Sequence, residues 1–149
     1  CEKLTASERA AGRLPEGYEY TLPTEAQWEY ACRAGTTGDY AGNLDSMAWY
    51  DGNCKKTVPQ VGQKQPNAWG LYDMHGNVWE WCRDWYGKYA GGTVTDPIGG
   101  TSGNCRVNRG GAWSYPAKDC RSGYRSGSVP VLRSYCVGFR LALAPQVGR

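Results

Sequence analysis

Hydrophobic and polar positions change their period several times along the chain, and each change marks an element. Trp28, Ala31 and Cys32 recur at the three- and four-residue spacing of one helix face. Thr24 stands where an N-cap belongs, Gln27 completes a capping box, and Glu25 suits the positive end of the helix dipole. This spacing predicts a helix over Glu25–Arg33 that stops before Gly35. Cys1 to Ala11 has helical composition, with Leu4, Ala10 and Ala11 as inward positions and Gly12 as the stop. After a turn at Leu14–Gly17, Tyr18 to Leu22 alternates and is rich in strand formers. Val78-Trp79-Glu80-Trp81-Cys82 also alternates as a strand, entered through a turn at Gly76-Asn77. Arg106–Arg109 reads as a strand leading into Gly110-Gly111, after which Trp113 enters the core. Gly138 to Leu143 reads as a closing strand with Phe139 and Leu141 on one face. Long connections fill 36–62 and 88–104, the first tucked down by Met47–Tyr50 and Val58–Val61. Short helices followed by short strands and long loops predict an α+β domain around a small twisted antiparallel sheet. Loops of this length in a compact domain are usually functional or held by a ligand or metal.

The 149 residues suit one domain with one core. The aromatic residues are lopsided, Trp 7 and Tyr 11 against Phe 1, which favours half-buried sites and binding surfaces because Trp and Tyr carry a polar tip. Net charge is +3, and no Lys/Arg cluster tracks a phosphate backbone, so nucleic acid is not an expected partner. No apolar run approaches a membrane span, and no signal peptide opens the chain. The start at Cys1 inside an apparent helix leads us to expect a fragment or processed form. Seven cysteines leave at least one thiol free or paired outside the chain. Without a Cys-x-x-Cys pair, a zinc knuckle or redox dithiol is not expected, and Cys32, Cys82 and Cys120 read as small buried hydrophobes.

Asn43, Asp45, Asp51 and Asn53 read as turn-forming residues ahead of a calcium loop. His75, the only histidine, sits in a turn and reads as structural, since no nucleophile is paired with it. The richest stretch is 109–141. Arg109-Gly110-Gly111, Arg121, Arg125, Pro130 and Arg133 read as framework. Ser114, Tyr115, Lys118, Asp119, Tyr124, Ser126, Gly127, Ser128, Val129, Val131, Leu132, Ser134, Tyr135, Cys136 and Val137 read as displayed side chains. Large amphipathic tyrosines among adaptable Ser and Gly are the chemistry of antibody paratopes, although simple packing of Tyr115, Tyr124 and Tyr135 stays open. Arg121, Arg125, Arg133 and Arg140 carry planar multi-donor groups that can pin carbonyls and carboxylates.

Leu22-Pro23-Thr24-Glu25-Ala26-Gln27-Trp28-Glu29-Tyr30-Ala31, Trp69 through Trp81, Arg109-Gly110-Gly111-Ala112-Trp113 and Gly138-Phe139-Arg140 occur in this order. Together they resemble the formylglycine-generating enzyme (sulfatase-modifying factor) family across nearly the whole chain. The family usually has more sequence before the position of Cys1. The resemblance implies a C-type-lectin-like fold of the formylglycine-generating-enzyme type. The family's enzymes oxidise a sulfatase cysteine to formylglycine through a copper-binding cysteine pair after the Gly-Gly motif. The second position of that pair matches Cys120, but the first falls on Tyr115, which cannot act as a thiolate ligand to Cu(I). No copper is therefore expected. The enzyme alternative, a copper-dependent oxidase, would need Cys120 and Cys136 as a new metal pair; a degenerate structural module is a further alternative.

A branch that fits better is the retroelement-diversified variable proteins, which display exchangeable side chains on this fold. Their codons, varied in the first two bases with C in the third, encode no Lys, Gln, Glu, Trp or Met. Apart from Lys118, the candidate display residues avoid those types. The resemblance implies a non-enzymatic ligand-binding protein, exposed at a cell surface or on a virion, whose partner is a protein or glycan on a cell or virus. It also implies a structural Ca²⁺ site at Asp73, Gly76, Val78 and Glu80, where two hard carboxylates flank a turn that aims main-chain carbonyls. The family's other calcium loop does not map onto Asn43–Asn53.

Overall fold

The computed structural model describes residues 1–146. Helix α1 (Glu2–Ala10) turns Thr5 inward, while Leu4 is half-buried and Ala10 and Ala11 are exposed, contrary to the expectation from their apolar character. The reason is a polar tie: Thr5 Oγ1 accepts from the Tyr20 amide at 2.9 Å, joining α1 to strand β1 (Tyr18–Thr21). Helix α2 (Glu25–Arg33) starts in the expected capping box. Thr24 Oγ1 accepts from the Gln27 amide at 3.2 Å, and Gln27 Oε1 accepts from the Thr24 amide at 2.9 Å. A short helix, α3 (Leu44–Met47), interrupts the stretch read as loop; Asn43 caps it by accepting from the Ser46 amide at 3.1 Å. Asn53 and Asp45 likewise make local bonds, to the Tyr50 amide and the Tyr50 hydroxyl.

Strand β2 (Trp79–Trp85) is the centre of the main sheet. It pairs antiparallel with β3 (Arg106–Arg109), which pairs antiparallel with β4 (Arg125–Ser128). On its other side β2 runs parallel to β5 (Val137–Phe139), so the sheet is mixed rather than wholly antiparallel. The closing segment is not one strand. After β5 the chain leaves the sheet, and β6 (Ala142–Pro145) pairs with β1 in a separate two-stranded ribbon. Arg140, between them, turns inward to Glu80, which sends its neighbours Phe139 and Leu141 outward.

The inward row of β2 beneath α2 is Glu80, Cys82 and Asp84, two carboxylates and a thiol. Each carboxylate has a partner on α2: Glu80 Oε2 accepts from Trp28 Nε1 at 2.7 Å, and Asp84 Oδ2 accepts from the Glu25 amide at 2.8 Å. Burial of such groups demands those bonds. One core gathers Trp28, Cys32, Met74, Cys82 and Val107; a second gathers Trp79, Ala112 and Cys136, with Trp113 and Tyr124 packed half-buried against it. Cys32, Cys82 and Cys120 are fully buried. Burial holds the Cys32 and Cys120 thiols up at about 12, so they stay protonated and packed. His75 is a strut: Nε2 accepts from the Ala41 amide at 3.0 Å, and Nδ1 therefore donates to the Cys120 carbonyl at 2.8 Å. The adjacent Gly76 has φ +78, and a Cβ there would lie 2.0 Å from the Trp49 carbonyl oxygen.

Candidate functional site

The stretch 109–141 is rooted from beneath by arginines. Arg109 is 0% exposed; Nε lies 3.3 Å from Glu25 Oε1, a second guanidinium nitrogen reaches Glu29, and Nη1 donates to the Tyr124 carbonyl at 2.5 Å. Arg125 meets Glu25 with two parallel bonds of 2.7 and 2.6 Å and donates to the Gly87 carbonyl at 2.7 Å. Arg140 forks onto Glu80 at 2.9 and 2.7 Å and reaches the Tyr72 carbonyl at 2.8 Å. Paired guanidinium–carboxylate forks fix direction as well as distance. Main-chain bonds complete the anchorage: Gly76 N to Gly110 O at 2.6 Å, Trp113 N to Asn77 O at 2.8 Å, and Trp79 N to Cys136 O at 2.8 Å. The counter-charges Glu25 and Glu29 lie on α2, some 80 to 100 residues from the arginines of this segment that they meet, and no pattern within 109–141 marks them as its partners. Their four-residue spacing on α2, continued by Arg33, was the available signal.

Above this anchorage, side chains project outward. Val131 is 84% exposed and Tyr135 73%, and Tyr115, Val129 and Leu132 also present large exposed surfaces; Ser114, Lys118 and Ser134 are exposed with them. Phe139 and Leu141 extend the exposed apolar set beyond the expected residues. Arg121 bonds the Lys118 carbonyl at 2.9 Å. Arg133 and Pro130, read as framework, are exposed.

Several expected display residues face elsewhere. Asp119 is only 8% exposed and Cys136 only 6%, so neither presents a contact surface. Cys136 belongs to the second core, with its sulfur 3.3 Å from Ser114 Oγ, and Asp119 sits in the 3-10 turn Ala117–Cys120. Tyr124 packs half-buried on Trp79, with ring centroids 6.0 Å apart, and burial, then Asp119, raises its phenol. Ser126 and Ser128 are half-buried in β4. Gly127 lies under the Tyr86 ring, where a Cβ would approach Cγ to 2.8 Å, so this position is closed to exchange without movement of Tyr86. The sequence pattern could not show this, because β4 and Tyr86 meet only through the sheet. Tyr115 and Tyr135 keep exposed surface while their rings touch Trp79 and Trp113 at 5.5 and 6.0 Å.

At the expected calcium positions, Asp73 has φ +58; Oδ2 accepts from the Gly62 amide at 2.7 Å, whereas Oδ1 is buried without a hydrogen-bond partner. Glu80 already has its positive neighbour in Arg140. Among the described residues, no cluster of three or more His, Cys, Asp or Glu is placed to hold a metal ion. No helix among them is long and apolar enough to cross a membrane.

Comparison with known proteins agrees with this architecture. The chain is 37% identical over 162 aligned residues to the formylglycine-generating enzyme of Streptomyces coelicolor, covering 93% of this chain and 49% of that enzyme. Its structure matches Treponema denticola variable protein 1 with a TM-score of 0.80 and 40% identity, over 85% of this chain and 48% of that one. It matches PvdO from Pseudomonas aeruginosa with a TM-score of 0.81 and 27% identity, over 97% of this chain and 58% of that one. The chain thus spans about half the length of these relatives. These relatives include an enzyme and a variable protein on the same C-type-lectin-like architecture of the formylglycine-generating-enzyme type. Residues 3–145 match the Sulfatase-modifying factor enzyme 1-like domain, and the chain belongs to that family.

Proposed function

We propose that this chain is a non-enzymatic binding protein whose 109–141 segment is a diversified recognition surface, as in the retroelement variable proteins. Its partner is a protein or glycan at a cell or virus surface, where the chain itself would be exposed. The observation that carries this reading is the division of labour within one segment. Arg109, Arg125 and Arg140 are pinned to carboxylates below, while Val131, Leu132, Ser134 and Tyr135 stand in solvent above. None of the upper set takes part in the ion pairs of the lower set, so exchange there would leave those pairs in place, which is what a scaffold for varied side chains requires.

Two further observations favour binding over oxidation. Tyr115 occupies the first position of the copper pair, and Cys120 is fully buried with its thiol held up at about 12, mainly by burial. Titration with Cu(I) checks this; stoichiometric tight binding would restore the oxidase reading. For Ca²⁺ the residues fit. Asp73 Oδ1 is a buried oxygen without a partner, and Glu80 Oε1 takes one Arg140 bond, leaving lone-pair capacity. With the main-chain carbonyls of Gly76 and Val78, these oxygens would hold the ion, whose role is to stiffen the turn into β2.

The direct test is the triple substitution Val131→Ser, Leu132→Ser and Tyr135→Ser, with binding read on arrays of purified cell-surface proteins and glycans. The variant should melt within about 6 °C of the parent, since each exposed substitution usually changes stability by at most about 0.5 kcal/mol, about 1.5 kcal/mol for the three together. Any array signal of the parent should disappear. A large fall in melting temperature, or binding that survives, would sink the display reading. The gene offers a second check: an adenine-rich repeat that differs from codons 114–137 only at its adenines should accompany a reverse transcriptase.

A further inference from the structure

The outward side of β2 carries a feature that the display reading does not use. Opposite the buried Glu80–Cys82–Asp84 row lie Trp81, Arg83 and Trp85. Alternation along a strand puts these three side chains on one face. With Cys1, Ile98, Arg106 of β3 and Pro130, they line a groove of about 620 Å³, within the range of small-molecule sites. Arg106 is held in place: its guanidinium stacks 3.6 Å from the centre of the Trp85 ring, and Nη1 donates to the Arg83 carbonyl. That arrangement fixes the plane of the fork and leaves its remaining donors for another group. Both charged side chains lining the groove are cations, Arg83 and Arg106. None of the ion pairs among the described residues uses either one. The arginines that anchor the sheet, Arg109, Arg125 and Arg140, all have carboxylate partners. What sets Arg83 and Arg106 apart is their place: two guanidiniums without an ion pair among the described residues line one groove beside two indoles.

We infer that this groove is a binding site for an oxyanion, carboxylate or phosphate, carried on a flat apolar body. The guanidiniums supply charge-assisted hydrogen bonds to the oxyanion. Trp81, Ile98 and Pro130 supply the apolar wall for its ring, and the half-buried indoles exclude water from one side. The charged part of the site is independent of the display reading, because Arg83 and Arg106 lie outside 109–141; of the wall residues Trp81, Ile98 and Pro130, only Pro130 comes from that segment.

The test uses the full chain and three probes of the same shape: 2-naphthoate, 2-naphthyl phosphate and neutral 2-naphthamide, titrated by ligand-observed NMR. At least one of the two anions should bind saturably, with a dissociation constant on the order of 1 mM for a probe of this size. Naphthamide should bind about tenfold more weakly, because it lacks the charge. Arg83→Gln, at an exposed position, should weaken the bound anion severalfold without altering the thermal melt. Arg106→Lys should also weaken it, because an ammonium keeps the charge but loses the planar fork. Preference for the phosphate over the carboxylate, or the reverse, identifies the oxyanion and supports the site. Equal binding of naphthamide, undiminished affinity in both variants, or no binding by either anion would overturn the inference.

Discussion

Arg109→Met tests whether the binding segment depends on its buried charges. Arg109 is fully buried and contacts three groups: Glu25 at 3.3 Å, Glu29, and the Tyr124 carbonyl at 2.5 Å. Removing one member of a buried ion pair typically costs about 3–5 kcal/mol, because the remaining charge is stranded. Here neither carboxylate is left alone. Glu25 keeps its two bonds to Arg125, and Glu29 keeps Arg33 at 2.8 Å. The loss should therefore lie near the lower end, about 3 kcal/mol, and much of it comes from the stranded Tyr124 carbonyl and the unfilled guanidinium volume. For a domain of this length that corresponds to a melting temperature lower by roughly 6–12 °C. The assay is thermal unfolding followed by circular dichroism, with Tyr135→Ser as a surface control and Glu29→Gln/Arg109→Met as the coupled pair. The pair should lose less than the sum of its single changes, since both remove the same contact. A melt of Arg109→Met within about 2 °C of the parent would show that the buried arginine does not support the segment, and the anchorage argued for it would fail.

Other consequences follow from particular contacts. Gly127→Ser places a Cβ 2.8 Å from Tyr86 Cγ and should cost about 1–3 kcal/mol in urea unfolding, whereas Val131→Ser, at a position 84% exposed, should be nearly neutral. Burial lowers the His75 pKa, so its contribution to stability is complete above the unfolded value of about 6.5 and is lost as pH falls through the depressed folded value. Stability measured between pH 7 and 5 should fall with a slope of at most about 1.4 kcal/mol per pH unit, and His75→Gln should flatten that slope. Calcium should raise the melting temperature over an EGTA-treated sample; Asp73→Ala should abolish the difference, while equal melts in the parent would remove the calcium site.

Sequence alone determined what depends on neighbours along the chain. The capping box from Thr24 to Gln27, the Trp28–Cys32 face of α2, the short strands and the buried thiols were legible because capping and periodicity are local. The family motifs added the fold. Tertiary structure decided what depends on residues far apart. Glu80 and Asp84 face inward because α2 brings Trp28 Nε1 and the Glu25 amide to them. The closing segment divides between two sheets because Arg140 turns to Glu80, leaving Phe139 and Leu141 in solvent. Asp119 and Cys136 have the composition of displayed residues, yet packing buries them, and Gly127 is fixed by a tyrosine from another strand's end. The sequence marked where exchangeable side chains concentrate. Which of them reach solvent was settled by burial and by cross-strand contacts, which no local pattern encodes.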